Sequence, residues 1–361
     1  MKVLFVFYIP SGGVETLNRH RCRALKEAGI TTHLLYLLPG KGMQNIKDIP
    51  TFITNKNDEI AQILKEGNYS AVIVVSAHPY LKRIRSLGYS GLLFWEVQGY
   101  VSKEGALEEF RIASLDVLQY CNGVVYPETA YIKEIAAHFF PPEMCFSFHN
   151  CMDFESFAHR ALPREGGPVM GWVGRIEENK NWRDFLRIGH KLREQHPQLK
   201  LWMFEDSTLS EPGQRTQFIE LVKNLGLGGS LTILDNIPNA EMPNYYSRIA
   251  DSGGFLCSTS KVEGFGYAVL EAICCQCPVL STDSDGVRSF IIHNETGKFY
   301  PHGDVDQAVR EANSLMKDRQ LRSQITAKAY ERARLLFDSA AYSRNFRQML
   351  EQAKRNNSSK S

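Results

Sequence analysis

The strongest constraint in this chain is a rhythm that runs twice. Short apolar runs at 3–9, 33–38, 71–76, 92–97 and 123–126 alternate with amphipathic segments such as 14–28 and 102–120. Near-continuous apolar runs of that length read as strands buried on both faces. Strands alternating with helices predict parallel sheets joined by right-handed crossovers. The rhythm breaks at 161–168, where Pro163, Gly166, Gly167 and Pro168 crowd together as turn formers. It then restarts, with strands expected at 169–173, 200–204, 231–234, 254–258 and 278–282 and helices at 182–194, 214–225, 241–249 and 266–275. The expected fold is α/β, with two Rossmann-like halves at 1–162 and 168–335. A further helical stretch runs from 319 to 354 with no strand partner, so 336–361 is read as a helix returning to the first half, its end disordered. Such sheets take ligands beyond the carboxyl ends of their strands, and two halves would take one in the cleft between them.

Composition agrees and narrows the partners. A chain of 361 residues exceeds one ordinary core. With 43% hydrophobic and 23% charged residues it is globular, and a formal charge of +2 supplies no field that argues for nucleic acid. No apolar run reaches the roughly 18 residues that span a bilayer, and the first residues lead straight into a strand without a cleavable signal pattern. The expected location is the cytoplasm, with contact at the inner face of a membrane left open. The eight cysteines are scattered and read as thiols rather than a disulfide framework. Cys274, Cys275 and Cys277 cluster, but in an apolar run with no nearby histidine, so small buried residues explain them better than a metal.

Several stretches sit where a Rossmann-like half would present chemistry. Gly12 and Gly13 follow the first strand and open a helix. They read either as a tight turn or as a place where free amides and the helix dipole welcome an anion. The spacing is not the G-x-G-x-x-G of a dinucleotide fingerprint. Gly174 and Arg175 follow the first strand of the second half, and Lys180 lies five residues on. Two cations on one such loop are either solvated or hold a diphosphate. Glu263-Gly264-Phe265-Gly266-Tyr267 follows the strand at 254–258 and opens a helix that carries Glu271. There, glycine-flanked amides suit phosphate oxygens, Glu263 can accept from sugar hydroxyls, and Glu271 from a ribose hydroxyl pair. Two glutamates eight apart mean nothing alone; the glycines and the strand-to-helix setting carry the reading. Asp283-Ser284-Asp285-Gly286 has a metal-binding spacing, but a turn with capping aspartates explains it better. His78, at a strand end, either caps or faces the cleft. Lys82, Arg83 and Arg85 read as a solvated helix face rather than a site for an anionic acceptor or lipid headgroups.

Taken together these stretches resemble glycosyltransferase family 4, whose members have the GT-B fold. The resemblance covers most of the chain and is strongest from Gly171 to Gly303. Gly12-Gly13 is similar to that family's N-terminal glycine loop, Gly174-Arg175 with Lys180 to its Arg/Lys pair, and Glu263 to Glu271 to its E-x7-E motif. Asn150-Cys151-Met152-Asp153 with Phe157 looks like its Asn-Gly-Val-Asp-x-x-x-Phe segment, Cys151 replacing glycine, and Asn294-Glu295-Thr296-Gly297 matches the segment before the last strand. The resemblance implies a retaining, metal-independent transferase that moves a hexose-type sugar from a UDP- or GDP-sugar to an acceptor hydroxyl, without a cofactor. Arg175 and Lys180 would bind the diphosphate, Glu263 the transferred sugar and Glu271 the ribose. Gly12, Gly13, Gly174, Gly264, Phe265, Gly266 and Tyr267 would line the donor, and His78 and Gln98 would touch the sugar or acceptor.

The chain departs from the family at informative places. Gln98 stands where a histidine is frequent, Phe204-Glu205-Asp206-Ser207 where a Gly-x-Gly is usual, Gln276 where a glycine is common, and Ser289 where a glutamate is frequent. Two rival readings follow: a nucleotide-sugar epimerase on the same fold, and a non-catalytic nucleotide-binding partner subunit. The acceptor (a glycan, a lipid-linked sugar or a small molecule) is not specified by these residues.

Overall fold

The computed structural model describes residues 1–100, 102–163 and 165–358. The chain divides into two compact units, Met1–Asp153 with Phe337–Ser361, and Phe154–Leu336.

The first unit is built from β1 (Lys2–Phe7), α1 (Gly12–Glu27), β2 (Thr31–Tyr36), β3 (Thr51–Ile53), α2 (Asn57–Gly67), β4 (Ala71–Val75), α3 (Pro79–Ser86), β5 (Leu92–Glu96), α4 (Lys103–Tyr120), β6 (Gly123–Tyr126), α5 (Ala130–Phe139) and β7 (Cys145–Ser147). Its seven strands lie in the order β3-β2-β1-β4-β5-β6-β7, and every neighbouring pair is parallel. Both faces are covered, which is why the strands read as unbroken apolar runs. In β1, Leu4 and Val6 fill one core while Val3 and Phe5 fill the other.

The second unit comprises β8 (Val169–Val173), α6 (Trp182–Gln195), β9 (Lys200–Glu205), α7 (Gln214–Asn224), β10 (Leu231–Asp235), α8 (Met242–Asp251), β11 (Phe255–Ser258), α9 (Tyr267–Cys274), β12 (Val279–Thr282), β13 (Lys298–Tyr300), α10 (Val305–Lys317) and α11 (Arg319–Leu336). Its six-stranded sheet runs β10-β9-β8-β11-β12-β13, again parallel throughout. Met170 and Trp172 of β8 pack with Phe185 and Ile188 of α6 in its core.

The last helix, α12 (Ser339–Ser358), belongs to the first unit. Phe346 packs its ring 5.9 Å from that of Phe5, Ser343 donates to the Ala24 carbonyl at 2.8 Å, and Arg347 to that of Ala28 at 2.6 Å. The helix holds through Ser358; Ser359, Lys360 and Ser361, where disorder was expected, lie outside the described residues.

Three sequence expectations change. The chain leaves the first unit at Asp153, before the expected boundary at 162. Residues ahead of the turn-rich stretch are already fastened to α8: His159 lies 3.0 Å from Asp251, and Arg160 donates to Ser247 at 2.9 Å and to Asn244 at 2.8 Å. Within the expected linker, Arg164 lies outside the described residues, and Glu165 accepts from Lys200 at 2.9 Å and from Arg248. The single terminal helix is two helices, because Asp338 interrupts it and accepts from the Ala341 amide at 2.7 Å to start α12. Finally, β3 and β7 were not foreseen, since three residues are too short to show a period.

Both sheets reverse their winding direction next to their first strand, between β1 and β4 and between β8 and β11. At such a point the crossover helices diverge to opposite faces and leave a crevice at the strands' carboxyl ends. The two crevices are therefore lined by the segments that follow β1 and β4 in one unit, and β8 and β11 in the other.

Candidate functional site

The crevice of the second unit gathers Arg175, Lys180 and Glu263. Gly174 leaves β8, and a Cβ there would stand 2.8 Å from the Trp172 ring and 3.2 Å from Lys180 Cγ, so glycine makes room for the lysine stem. Lys180 Nζ reaches Glu263 Oε1 at 2.5 Å, and Ser260 Oγ donates to the same oxygen at 2.7 Å. Neither partner of the ion pair is fully buried; their side chains are 21% and 15% exposed. The pair is thus pre-formed yet open to a ligand. Arg175, half exposed, has its guanidinium 3.2 Å from Glu177.

The two loops are sewn together, and the stitch is Asn179. Its amide donates to the Val262 carbonyl at 3.1 Å and accepts from the Val262 amide at 3.1 Å, while Lys261 N donates to the Asn179 carbonyl at 2.8 Å. One side chain imitates a strand partner and fixes the register between the Arg175–Lys180 loop and the Glu263 loop. Thr259 adds a second tie, donating to the Lys180 carbonyl at 2.7 Å and accepting from the Trp172 indole at 2.9 Å.

Gly264 to Tyr267 form the turn into α9. Gly266 caps the helix in the left-handed conformation at φ +85, which glycine adopts without the cost of a side chain. Phe265 and Tyr267 are 8% and 7% exposed, their rings 4.7 Å apart, and Phe265 also meets Phe290 at 5.8 Å. The rings are committed to packing against one another and against Phe290. Glu271 is 4% exposed and accepts from Asn239 at 3.0 Å and from the Tyr246 hydroxyl at 3.0 Å, one on each oxygen. Burial and the neighbouring carboxylate push the Tyr246 phenol well above its usual range, keeping it a donor.

The segment after β12 is a buttress. Arg288 donates to Asp283 at 2.7 and 2.9 Å and to Asp285 at 3.3 Å, so both aspartates of the Asp-x-Asp pair are neutralised by a guanidinium. Among the described residues no cluster of histidine, cysteine and acidic side chains could hold a metal ion. Gly286 N donates to the Glu263 carbonyl at 3.0 Å.

The crevice of the first unit opens at Gly12, where α1 starts with φ +67. Ser11 makes no side-chain cap, so nothing on the N-cap side chain competes for the first-turn amides. His78 precedes α3 and points to α4, with Nδ1 3.4 Å from Asp116 and Nε2 3.8 Å from Glu109. Gln98 closes a buried polar chain: its amide donates to Glu96 and accepts from Asn150 at 2.8 Å. Glu96 pairs through both oxygens with Arg21, which is 0% exposed and lies under the Phe5 ring at 3.7 Å. Arg21 also donates to Asn18, and Asn18 to the Tyr36 hydroxyl at 3.0 Å. Sequence reasoning singled out Gln98 but missed Arg21, Asn18 and Glu96; the only sign was charge inside an apolar strand and on the buried face of a helix. It also missed Glu177, Asn179, Asn239, Tyr246 and the part played by Gly286, none of which carries a pattern.

Two other sequence features prove structural. Arg83 donates to Asn55 and to Asn57 at 2.8 Å, and Arg85 to the carbonyls of Tyr120, Tyr89 and Gly91 at 2.8–3.0 Å, so these two are not a solvated face. Glu205, where a Gly-x-Gly was usual, pairs with Arg215 through two 2.7 Å bonds and has a side chain only 2% exposed. The eight cysteines form no disulfide. Among the described residues no helix is long and apolar enough to cross a membrane.

Two parallel sheets of Rossmann type, each with a ligand crevice at its reversal point and joined by a helix that returns to the first, define the GT-B class of folds. The solved structure of Anabaena Alr3699/HepE in complex with UDP and glucose is similar over 97% of this chain and 99% of that one, with a TM-score of 0.82 at 16% identity. Sucrose-phosphate synthase from Thermosynechococcus elongatus is similar over 98% and 99%, with a TM-score of 0.76 at 16% identity. Likeness at these identities is one of fold. Within the class, residues 153–332, nearly the whole second unit, match the family model described as Glycosyl transferases group 1. The 2-deoxystreptamine N-acetyl-D-glucosaminyltransferase of Streptomyces fradiae is 27% identical over 163 residues, 42% of this chain and 35% of that protein. A 4-alpha-N-acetylgalactosaminyltransferase of Campylobacter jejuni that acts on a diphospho-undecaprenol-linked sugar is 25% identical over 212 residues, 56% of this chain and 54% of that one. The chain thus spans between a third and somewhat over half the length of these relatives.

Proposed function

We propose that this protein is a retaining, metal-independent glycosyltransferase that takes a hexose-type sugar from a UDP- or GDP-sugar. The observation that carries the reading is the Lys180–Glu263 pair at 2.5 Å, beside Arg175 and at the start of α9. A nucleotide sugar has a dianionic diphosphate next to a polyhydroxyl ring, and the crevice sets two cations beside the part-buried carboxylate of Glu263 in the same order. Support comes also from the group 1 domain and from the transferase names of its relatives. The Anabaena neighbours bound to UDP and UDP-glucose support UDP as a donor nucleotide, and a GDP-mannose-dependent mannosyltransferase among the relatives supports GDP.

In this reading Arg175 and Lys180 neutralise the charge that builds on the departing diphosphate, the work a divalent ion does elsewhere. Glu263 orients the sugar by accepting from its hydroxyls. Glu271, aligned by Asn239 and Tyr246, accepts from the ribose hydroxyls. The bond from the sugar C1 to the phosphate oxygen breaks as the acceptor oxygen bonds to C1 on the same face, and the acceptor proton passes to the leaving phosphate. The acceptor is a hydroxyl compound.

The test is transfer and hydrolysis of UDP- and GDP-sugars by the full chain and by Lys180→Ala and Glu263→Ala. Loss of each interaction made in the transition state lowers kcat by about a hundredfold or more, with folding unchanged. Full activity in both variants overturns the assignment of roles. Complete loss of activity in a chelator overturns metal independence, and formation of an epimerised sugar without acceptor overturns transfer.

A further inference from the structure

One carboxylate in the donor crevice fits none of the roles above. Glu177 is 8% exposed and lies on the same loop as the two cations, both its oxygens 3.2 Å from the Arg175 guanidinium. Lys180 and Glu263 also act on it electrostatically, and so does Glu211 from the segment before α7. Glu211 is held there because it accepts from the Glu178 amide at 3.1 Å. The other nearby cations, Lys261 and Arg183, are taken by Glu178. Around the crevice, then, two cations face three carboxylates. That is a poor receptor for a dianion, since each uncompensated carboxylate repels it through a partly desolvated medium.

We propose that Glu177 couples donor binding to the uptake of a proton: it pairs with Arg175 in the free protein, and when a diphosphate ester arrives it is protonated and releases the guanidinium to the phosphates. This inference rests on the reading of the crevice as a donor site. No covalent step is involved. The proton comes from solvent, the Arg175–Glu177 ion pair is exchanged for an Arg175–phosphate pair, and the crevice gains one positive charge as the ligand brings two negative ones. Burial already pushes the Glu177 carboxyl above its usual range, against the pull of Arg175 and Lys180. A bound diphosphate adds a like charge nearby and moves it further in the same direction. Because the bound state then carries more protons than the free state, affinity rises as pH falls, by up to tenfold per pH unit where the free site is ionised and the bound one is not.

The measurement is titration calorimetry of the full chain with UDP-glucose and with GDP-mannose, in two buffers of different ionisation enthalpy. A nucleotide sugar is the right probe because its diphosphate is esterified at both ends and lacks the terminal ionisation near pH ~6 of a free phosphate group. Wild type is expected to take up a proton on binding. Glu177→Gln, which keeps a neutral acceptor for Arg175, is expected to bind without proton uptake, with an affinity that no longer varies with pH and matches wild type at its acidic limit. Binding with no buffer dependence in wild type, or uptake that persists in Glu177→Gln, overturns the coupling while leaving the donor site standing. Failure of both nucleotide sugars to bind wild type overturns the donor site and the coupling with it.

Discussion

Replacing Gly286 by alanine tests whether the segment after β12 sets the position of Glu263. Gly286 has no left-handed backbone to protect, so the substitution acts only through space. A Cβ there would lie 2.3 Å from the Glu263 carbonyl oxygen and 2.6 Å from Gly264 carbonyl carbon, both backbone atoms with no side-chain rotamer to yield. Ordinary contact begins at 3.4 Å, so the two loops must part by roughly 1 Å, a shift that costs on the order of a hundredfold in rate when it reaches reacting groups. The same overpacking costs about 1–3 kcal/mol of stability, or about 2–4 °C of Tm per kcal/mol for a domain of this size. The Gly286 amide also loses its 3.0 Å bond to the Glu263 carbonyl. Gly228→Ala is the control, because a Cβ there meets nothing within 4 Å and its backbone is not left-handed. The assay is thermal unfolding together with transfer from the preferred nucleotide sugar. Gly286→Ala is expected to fold, with a lowered Tm and a kcat that falls far more than the Tm shift explains. A Gly286→Ala protein with the Tm and kcat of the Gly228→Ala control refutes the buttress.

Asn179→Ala removes both bonds to the part-buried Val262 backbone, so stability should fall by about 1 kcal/mol; donor affinity should weaken more than in Asn179→Asp, which keeps the acceptor half, and equal affinities would show that the stitch is not used. Tyr246→Phe deletes one of the two donors that align Glu271 and should weaken binding of UDP by several-fold while leaving 2′,3′-dideoxy-UDP unaffected, as equilibrium titration would show. Glu96→Ala leaves Arg21 as an unpaired buried cation and should cost about 3–5 kcal/mol in urea unfolding, whereas Arg21→Met with Glu96→Leu together should recover most of it; a double variant no better than the single one would mean that the rest of the polar chain needs the pair.

The features legible in the sequence are those with a period or a backbone reason. Two rounds of apolar runs gave the two parallel sheets, since a strand covered on both faces has little choice of composition. Gly174, Gly264 and Gly266 were readable because they mark sharp strand-to-helix turns, and Gly266 does sit at φ +85. Arg175, Lys180 and Glu263 were readable only by position, as charges at the carboxyl ends of buried strands. What stayed hidden are contacts between segments far apart in the chain: Asn179 with Val262, Gly286 with Glu263, Asn239 and Tyr246 with Glu271, Arg21 with Glu96. Each becomes necessary only after the sheet order places β8 beside β11, or β1 beside β4, and nothing local distinguishes these residues beforehand. The Phe265 and Tyr267 rings show the converse ambiguity. Their place in the turn pointed to a ligand, yet aromatic rings flanked by glycine also fill a core, and here the core takes them.

This division has a physical consequence for the crevice. The groups proposed to meet the donor, Arg175, Lys180 and Glu263, lie on loops whose own backbone gives little rigidity. Their precision is borrowed from Asn179 and Gly286, which tie the loops to one another and to the segment after β12, and from Thr259, which is fastened to Trp172 of β8. A loop free to move would meet a donor in many geometries and pay to select one. Holding two loops through a side-chain amide, a hydroxyl and a glycine contact removes that cost before the ligand arrives. Specificity for the donor should therefore be more sensitive to these three silent positions than to conservative changes at Arg175, whose half-exposed guanidinium can reorient when the diphosphate binds.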